Sequence, residues 1–162
     1  MGDKSTTIHV LDLLQGAWTG DGRGQFPGVT SFSFREILVF TRRDEKNLAY
    51  EQRTQKLYDR QTEYVPSHWE SGFLSILENG DLQLVNIQVG GRNEMMIGSV
   101  ESLDDRFHIH FVSTVLNNDS RLVSSARIFE LEGDTLRYEM EMQTTKVDQS
   151  TLHLRIALER IR

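Results

Sequence analysis

Hydrophobic and polar residues alternate with a period of two along most of the chain, which is the pattern of β-strands that bury one face. Residues 32–39 alternate in this way and are rich in aromatic and β-branched side chains. The alternation is cleanest over residues 136–143, where leucine, tyrosine and methionine occupy every second position between charged and amide side chains. Only residues 6–15 have helical spacing, and Gly16 is placed to end that predicted helix.

Short clusters of Gly, Asn and Asp interrupt the alternation at intervals, for example at Asn79-Gly80-Asp81 and Gly133-Asp134. Such clusters are typical of tight turns between antiparallel strands. They separate roughly ten predicted strands, which lie near residues 16–24, 33–42, 47–58, 67–77, 82–89, 93–103, 106–116, 121–132, 135–145 and 150–161.

A series of short hairpins leaves exposed strand edges unless the sheet closes on itself. The pattern therefore favours an all-β protein with a short N-terminal helix and an antiparallel up-and-down β-barrel of roughly ten strands. A barrel of this size has room for an internal ligand cavity. A β-sandwich is the competing architecture, because alternation alone does not separate the two.

Composition narrows the classes of function. The 162 residues fit one domain over residues 1–162, and a net charge of −6 argues against nucleic acid as a partner. The chain has no cysteine, so any metal must be held by His, Met, Tyr or carboxylate. No secretion leader and no long apolar run is apparent, which predicts a cytoplasmic protein without a membrane partner. A homodimer is compatible with the sequence but not required by it.

Three glycines occur at even spacing in the first predicted strand. Gly20, Gly22 and Gly24 share one face, where the missing side chains allow another backbone, an aromatic ring or a ligand to approach closely. The competing interpretation is a strand that bends sharply. A phosphate-binding loop is excluded because a β pattern, and not a helix, follows the glycines.

Four of the five histidines have informative positions. His108 and His110 lie two residues apart on one strand face and could supply two zinc ligands, but no third ligand is evident, and a solvated face is the competing interpretation. His68 shares a face with Glu70, as a polar patch inside the barrel or as a surface pair. His153 lies in the last predicted strand, where simple alternation directs it outward together with Arg155.

Four sequence blocks resemble the nitrobindin family of haem-binding barrels, in the same order and spacing over about residues 11–162. The blocks are Gly16-x-Trp18-x-Gly20-x-Gly22-x-Gly24-x-Phe26-Pro27, Leu48-Ala49-Tyr50-x-Gln52-x-Thr54, His68-x-Glu70-Ser71-Gly72-Phe73, and His153-Leu154 followed by Ala157-Leu158. The resemblance implies a calycin-like barrel, similar in shape to fatty-acid-binding proteins, that holds one haem b per chain.

The resemblance also implies a function and a set of site residues. It implies ferric haem that binds nitric oxide and isomerises peroxynitrite to nitrate, with His153 as the axial ligand of the iron. His68 falls at the position of the haem-pocket histidine, and Gln88, Met142 and Ser67 fall at positions that line or adjoin the pocket. No catalytic residue is assigned. A bulge in the last strand, or a haem bound near the rim, would reconcile His153 with the strand pattern.

Two segments depart from the family pattern. The usual Tyr-Gly-Glu-Glu reads Phe34-Arg35-Glu36-Ile37 here, and a usually aliphatic stretch reads Arg92-Asn93-Glu94-Met95.

The alternative functions do not need haem. One is an intracellular carrier of a fatty acid or another small apolar ligand, a role that suits a barrel with an apolar lining. Such carriers hold a carboxylate with buried arginine, for which Arg35, Arg53 and Arg137 are candidates, although an outer surface explains their alternation equally well. The other is a haem-free interaction module.

Overall fold

The computed structural model describes residues 3–25, 30–57 and 62–162. It contains one helix and ten strands, namely α1 Lys4–Leu14, β1 Gly16–Gly24, β2 Phe32–Asp44, β3 Asn47–Leu57, β4 Val65–Ile76, β5 Leu82–Gln88, β6 Asn93–Leu103, β7 Arg106–Asn117, β8 Leu122–Glu132, β9 Thr135–Thr144 and β10 Thr151–Arg160. The predicted strands are confirmed to within a few residues. Phe26 and Pro27, and the predicted third-strand end at residue 58, lie outside the described residues.

The ten strands form a closed antiparallel barrel in which each strand pairs with its neighbours in sequence. The ring closes between β1 and β10, where Trp18 is opposite Arg160 and Gly24 is opposite Leu154. Closure pairs the two strands that would otherwise be exposed edges. The predicted up-and-down barrel is therefore confirmed, and the β-sandwich alternative is wrong.

Helix α1 covers one end of the barrel. The Asp3 side chain accepts a hydrogen bond from the backbone N–H of Ser5 and so caps the helix start. Thr7 donates to the carbonyl of Gly80 in the turn between β4 and β5 (2.9 Å), which ties the helix to the barrel. The inner helix face adds Val10, Leu11 and Leu14 to the core. Among residues 3–25, 30–57 and 62–162, no helix has both the length and the apolar character that a bilayer crossing requires.

The barrel interior changes character along its axis. Close to α1 it is filled by apolar side chains, including Trp18, Leu38, Leu48, Leu82, Ile109 and Leu131. Farther along, buried polar side chains replace them, including Glu36, Gln52, Glu70, Glu94 and Arg127. Cavities occupy the end opposite α1. The polar layer therefore separates a packed core from a ligand-sized space.

The evenly spaced glycines lie where β1 is crowded by its neighbours. A Cβ atom added at Gly20 would overlap with the carbonyl oxygen of Ala157 on β10, and one added at Gly22 would overlap with the ring of Phe34 on β2. Of the two interpretations left open by the sequence, this geometry agrees with close approach of a backbone and of an aromatic ring. Glycine allows β1 to close the barrel against β10 at these positions.

Candidate functional site

A β-bulge in β10 turns His153 into the barrel. The pairing of β10 with β9 shifts between Leu152 and Leu154, so His153 is the extra residue of the bulge. Leu152 consequently faces outward and is 40% exposed, whereas His153 is only 2% exposed. The outward orientation expected from simple alternation is wrong, because one inserted residue reverses the faces of the strand.

The surroundings of His153 favour a neutral imidazole. Burial lowers the pKa of this side chain below its ordinary value of 6.5. Its Nε2 atom lies 3.0 Å from the hydroxyl oxygen of Thr151, which orients the ring. The side chain borders a cavity that also contacts Met142 and Leu122. A neutral imidazole beside apolar and thioether groups is the form in which histidine binds a transition metal.

Three neighbouring cavities open at this end of the barrel, with volumes of about 210, 470 and 320 Å³. The first and second share His68, and the first and third share Met142. Arg92 borders all three. They therefore form one continuous region that reaches from the polar layer to the rim.

All five site residues inferred from sequence border this region. Ser67, His68 and Met142 line the first cavity, Gln88 lines the second and His153 lines the third. Gln88 is buried, and its side-chain oxygen accepts a hydrogen bond from Nε of Arg92 (2.9 Å). The fold thus brings together side chains that are up to 86 residues apart in the sequence.

Below the cavities lies a buried ion-pair cluster centred on Arg127. Its guanidinium contacts the Glu70 carboxylate through two nitrogens (2.5 and 3.1 Å) and the Glu94 carboxylate through one (3.1 Å). The Tyr50 hydroxyl donates to Glu70 (2.9 Å), and Nε2 of His68 lies 3.1 Å from the same carboxylate. The cluster therefore connects the cavity residue His68 to the barrel interior.

The charges of this cluster stabilise one another. Burial alone would raise the pKa of Glu70, but the adjacent guanidinium of Arg127 and hydrogen bonds from His68 and Arg127 lower it below its usual range. Burial opposes the positive charge of Arg127, yet Glu70 and Glu94 raise the pKa of its guanidinium well above its ordinary value. Glu70 and Arg127 accordingly stay ionised at neutral pH.

A second buried cluster surrounds the carboxyl group of Glu36. The hydroxyl of Tyr138 lies 2.8 Å from both carboxyl oxygens, and Gln52 (2.9 Å) and Thr54 (3.0 Å) donate to one of them. Burial without a cationic partner raises the pKa of Glu36 to about 7, although these hydrogen bonds offset part of the effect. Glu36 therefore exchanges its proton near neutral pH, whereas Glu70 does not.

The arginines expected for a fatty-acid carrier lie on the outside of the barrel. The side chains of Arg35, Arg53 and Arg137 are about half exposed and form ion pairs with surface carboxylates. The buried arginine is Arg127, and its charge is already balanced by Glu70 and Glu94. Arg127 consequently has no free charge with which to hold a fatty-acid carboxylate.

The paired histidines of β7 do not form a metal site. His108 and His110 lie opposite Glu101 and Ser99 of β6, and His110 is exposed. Within residues 3–25, 30–57 and 62–162, no three His, Cys, Asp or Glu side chains are close enough to hold a metal ion together. The solvated strand face is the interpretation that agrees with this geometry.

Comparison with known proteins shows the family. The model of the THAP4-like, heme-binding beta-barrel domain matches residues 7–160. The chain belongs to this family. The resemblance to nitrobindins that four sequence blocks indicated is therefore confirmed.

Relatives of this haem-binding barrel cover nearly all of the chain. A peroxynitrite isomerase from Nocardia farcinica (strain IFM 10152) is 31% identical over an alignment covering 94% of this chain and 90% of the relative. A protein from Arabidopsis thaliana, also named as a peroxynitrite isomerase, is 30% identical over 95% of this chain and 89% of its own length. The crystal structure of Rv2717c from M. tuberculosis has a TM-score of 0.83 at 26% identity and covers 96% of this chain and 98% of that chain.

The residues at the rim fit the haem group that the family binds. His153 provides a buried neutral imidazole, and the adjoining cavity walls include Phe32, Phe34, Met140, Met142 and Leu154. An imidazole ligand with aromatic, aliphatic and thioether surroundings suits a porphyrin with a central iron. Iron bound at Nε2 would replace the hydrogen bond of that atom to Thr151.

We predict that Arg127→Leu destabilises the barrel by about 3–5 kcal/mol, because it leaves two buried carboxylates without a counter-charge. The matched control is Arg137→Leu, since Arg137 is 49% exposed and makes surface ion pairs worth less than about 1 kcal/mol. Urea unfolding followed by tryptophan fluorescence measures both variants. Equal stability of the two would contradict the role assigned to Arg127.

We predict that Glu36→Gln changes how the free energy of unfolding depends on pH. The folded protein retains the Glu36 proton up to a pKa of about 7, whereas the unfolded chain releases it near the ordinary value of 4.5. Between these values the folded state binds the extra proton, so the contribution of Glu36 to the unfolding free energy falls by about 1.4 kcal/mol per pH unit as pH rises.

Glu36→Gln should therefore gain stability relative to wild type from about pH 5 to pH 7, with no further change above that range. Glu51→Gln, which changes a carboxylate on the outer surface, serves as the control. Unfolding free energies at several pH values provide the measurement. Parallel curves for wild type and Glu36→Gln would show that the Glu36 carboxyl titrates normally.

Proposed function

We propose that this chain is a ferric haem b protein that isomerises peroxynitrite to nitrate and also binds nitric oxide. The observation that carries the proposal is the β-bulge that turns His153 into a cavity, in a chain that belongs to a family of haem-binding barrels. The names of the relatives support the reaction, since several are peroxynitrite isomerases. Peroxynitrite and nitrate contain the same atoms and the same charge, so the conversion needs no co-substrate.

Each rim residue has a role in this proposal. When bound, haem would supply an iron centre able to take up a small ligand. His153 would hold the iron through its neutral imidazole, and Met142 provides an apolar wall beside it. His68 faces the first cavity, and its hydrogen bond to the ionised Glu70 places a hydrogen on Nε2. Ser67 and Gln88 complete the polar part of the lining.

The proposal extends to the organisation of the chain. Residues 1–162 form a single haem-binding domain with one haem b, because one barrel encloses one connected cavity region. The small-molecule partner is then nitric oxide or peroxynitrite. The cytoplasmic location stays a prediction from the sequence.

We also infer that two copies of the chain associate through an apolar outer face. This face consists of Phe73, Val85, Ile87 and Met95, which lie next to one another on β4, β5 and β6. Phe73 is 54% exposed and Ile87 is 58% exposed. The other outward residues here are uncharged, namely Ser71, Ser75, Gln83, Asn93 and Ile97. In a chain with a net charge of −6, a second copy of this face meets the first without like-charge repulsion.

We predict that Phe73→Glu weakens self-association at least about tenfold, because it places a charge in the middle of the apolar face. Sedimentation velocity over a concentration series measures the dissociation constant. Ile37→Glu is the matched control, since Ile37 is 45% exposed on β2, away from this face. A wild-type protein that remains monomeric at about 100 μM would rule out the proposed dimer.

The central prediction concerns haem uptake. Wild-type protein titrated with haemin should give a saturable Soret band, and His153→Ala should lose it because it lacks the axial ligand. His110→Ala, which removes an exposed histidine from the outer face of β7, should bind haemin as wild type does. Circular dichroism of all three proteins checks that the barrel is intact. Equal haemin binding by wild type and His153→Ala would reject His153 as the ligand.

A further inference from the structure

Arg92 occupies a position that no other described residue shares, because it borders all three cavities at the rim. Its side chain is only 22% exposed and is held in place by the hydrogen bond from Nε to Gln88. A charged group is therefore fixed where the cavities that border His68 and His153 adjoin one another.

The far edge of the Arg92 guanidinium is available to a ligand. Within residues 3–25, 30–57 and 62–162, neither Nη atom of Arg92 has a hydrogen-bond partner. Arg92 forms two long ion pairs, from Nη1 to Asp119 (3.7 Å) and from Nε to Glu94 (4.0 Å). The Asp119 carboxylate is already bound by two nitrogens of Arg121, at 2.9 and 3.1 Å. Arg92 thus presents paired donors with the geometry that binds planar oxyanions.

The charges near Arg92 also favour an anion. The cavity that borders His153 is lined by three cationic side chains, Arg92, Arg121 and Lys146, but by a single carboxylate, Asp119. The adjoining cavity is lined by Lys56, Arg127 and Arg92 and by the single carboxylate of Glu70. This rim is locally positive in a chain with a net charge of −6. A positive cleft in an acidic protein concentrates small anions at its entrance.

We propose that Arg92 binds a small inorganic oxyanion of the nitrate and peroxynitrite class at the entrance to the cavities. The proposal rests on the proposed function, since it names the residue that captures the anionic substrate. An aliphatic side chain at position 92 would provide neither charge nor hydrogen-bond donors. Arg92 acts before the reaction and is a binding residue for the incoming anion.

The experiment compares an anion with a neutral ligand in the ferric haem-loaded protein. Stopped-flow spectroscopy gives the association rates of nitrite and of nitric oxide for wild type, Arg92→Gln and Arg92→Lys. Arg92→Gln should slow nitrite at least about fivefold, reduce the salt dependence of its rate, and leave nitric oxide within about twofold of wild type. Arg92→Lys should recover most of the nitrite rate because it retains the charge.

Arg121→Gln is the matched control, because it removes the same charge from the same rim. Arg121 is 78% exposed and bound to Asp119, so its replacement should slow nitrite clearly less than Arg92→Gln does. Equal slowing by Arg92→Gln and Arg121→Gln would overturn the proposal in favour of a general charge effect. Equal slowing of nitrite and nitric oxide in Arg92→Gln would overturn it in favour of a structural role.

Two further measurements separate this inference from the proposed function. Faster haemin release from Arg92→Gln with an unchanged nitrite rate would mean that Arg92 pairs with the haem carboxylates, and would overturn the inference. In haem-free protein, nitrate should shift the Nε–H resonance of Arg92 in ¹H–¹⁵N spectra, and an absent shift counts against the anion site. Failure to take up haemin would reject the proposed function while this nitrate titration still decides the role of Arg92.

Discussion

The interior of this barrel depends on the charge balance between Arg127 and the carboxylates of Glu70 and Glu94. All three side chains are almost completely buried, so each charge is tolerated only because the others compensate for its loss of hydration. The cluster connects β4, β6 and β8, which are not paired with one another in the barrel. It also forms part of the polar layer, which separates the ligand cavities from the packed apolar core.

The two buried carboxyl clusters of this polar layer respond differently to pH. Glu70 faces a guanidinium and stays ionised, whereas Glu36 faces only hydroxyl and amide groups and titrates near neutral pH. The charge of Glu70 is therefore constant near neutral pH, whereas the charge of Glu36 changes with pH. Tyr138 touches Glu36 and also lines the first cavity, so the state of the carboxyl group reaches the ligand space through one hydrogen bond.

Much of the fold could be predicted from the sequence, because barrel strands and turns have strong local signals. Alternation also placed Glu36 between Phe34 and Leu38 on a buried face, which is a readable sign of a buried carboxyl group. Arg127 is in phase with Phe129 and could have been found in the same way. The orientation of His153 could not be predicted in this way, because a single-residue bulge has no clear sequence signal. The position of Arg92 depends on contacts among distant loops, which periodicity does not describe.

The placement of α1 also determines how the molecule can be joined to other chains. Lys4 begins the helix that covers the packed end, and the last strand finishes beside it, where Arg160 donates to the carbonyl groups of Leu13 and Gln15. A segment fused before α1 or after β10 therefore emerges at the end of the barrel opposite the cavities. Surface immobilisation or labelling through these positions would leave the rim facing bulk solvent, so that ligand entry is oriented away from the support.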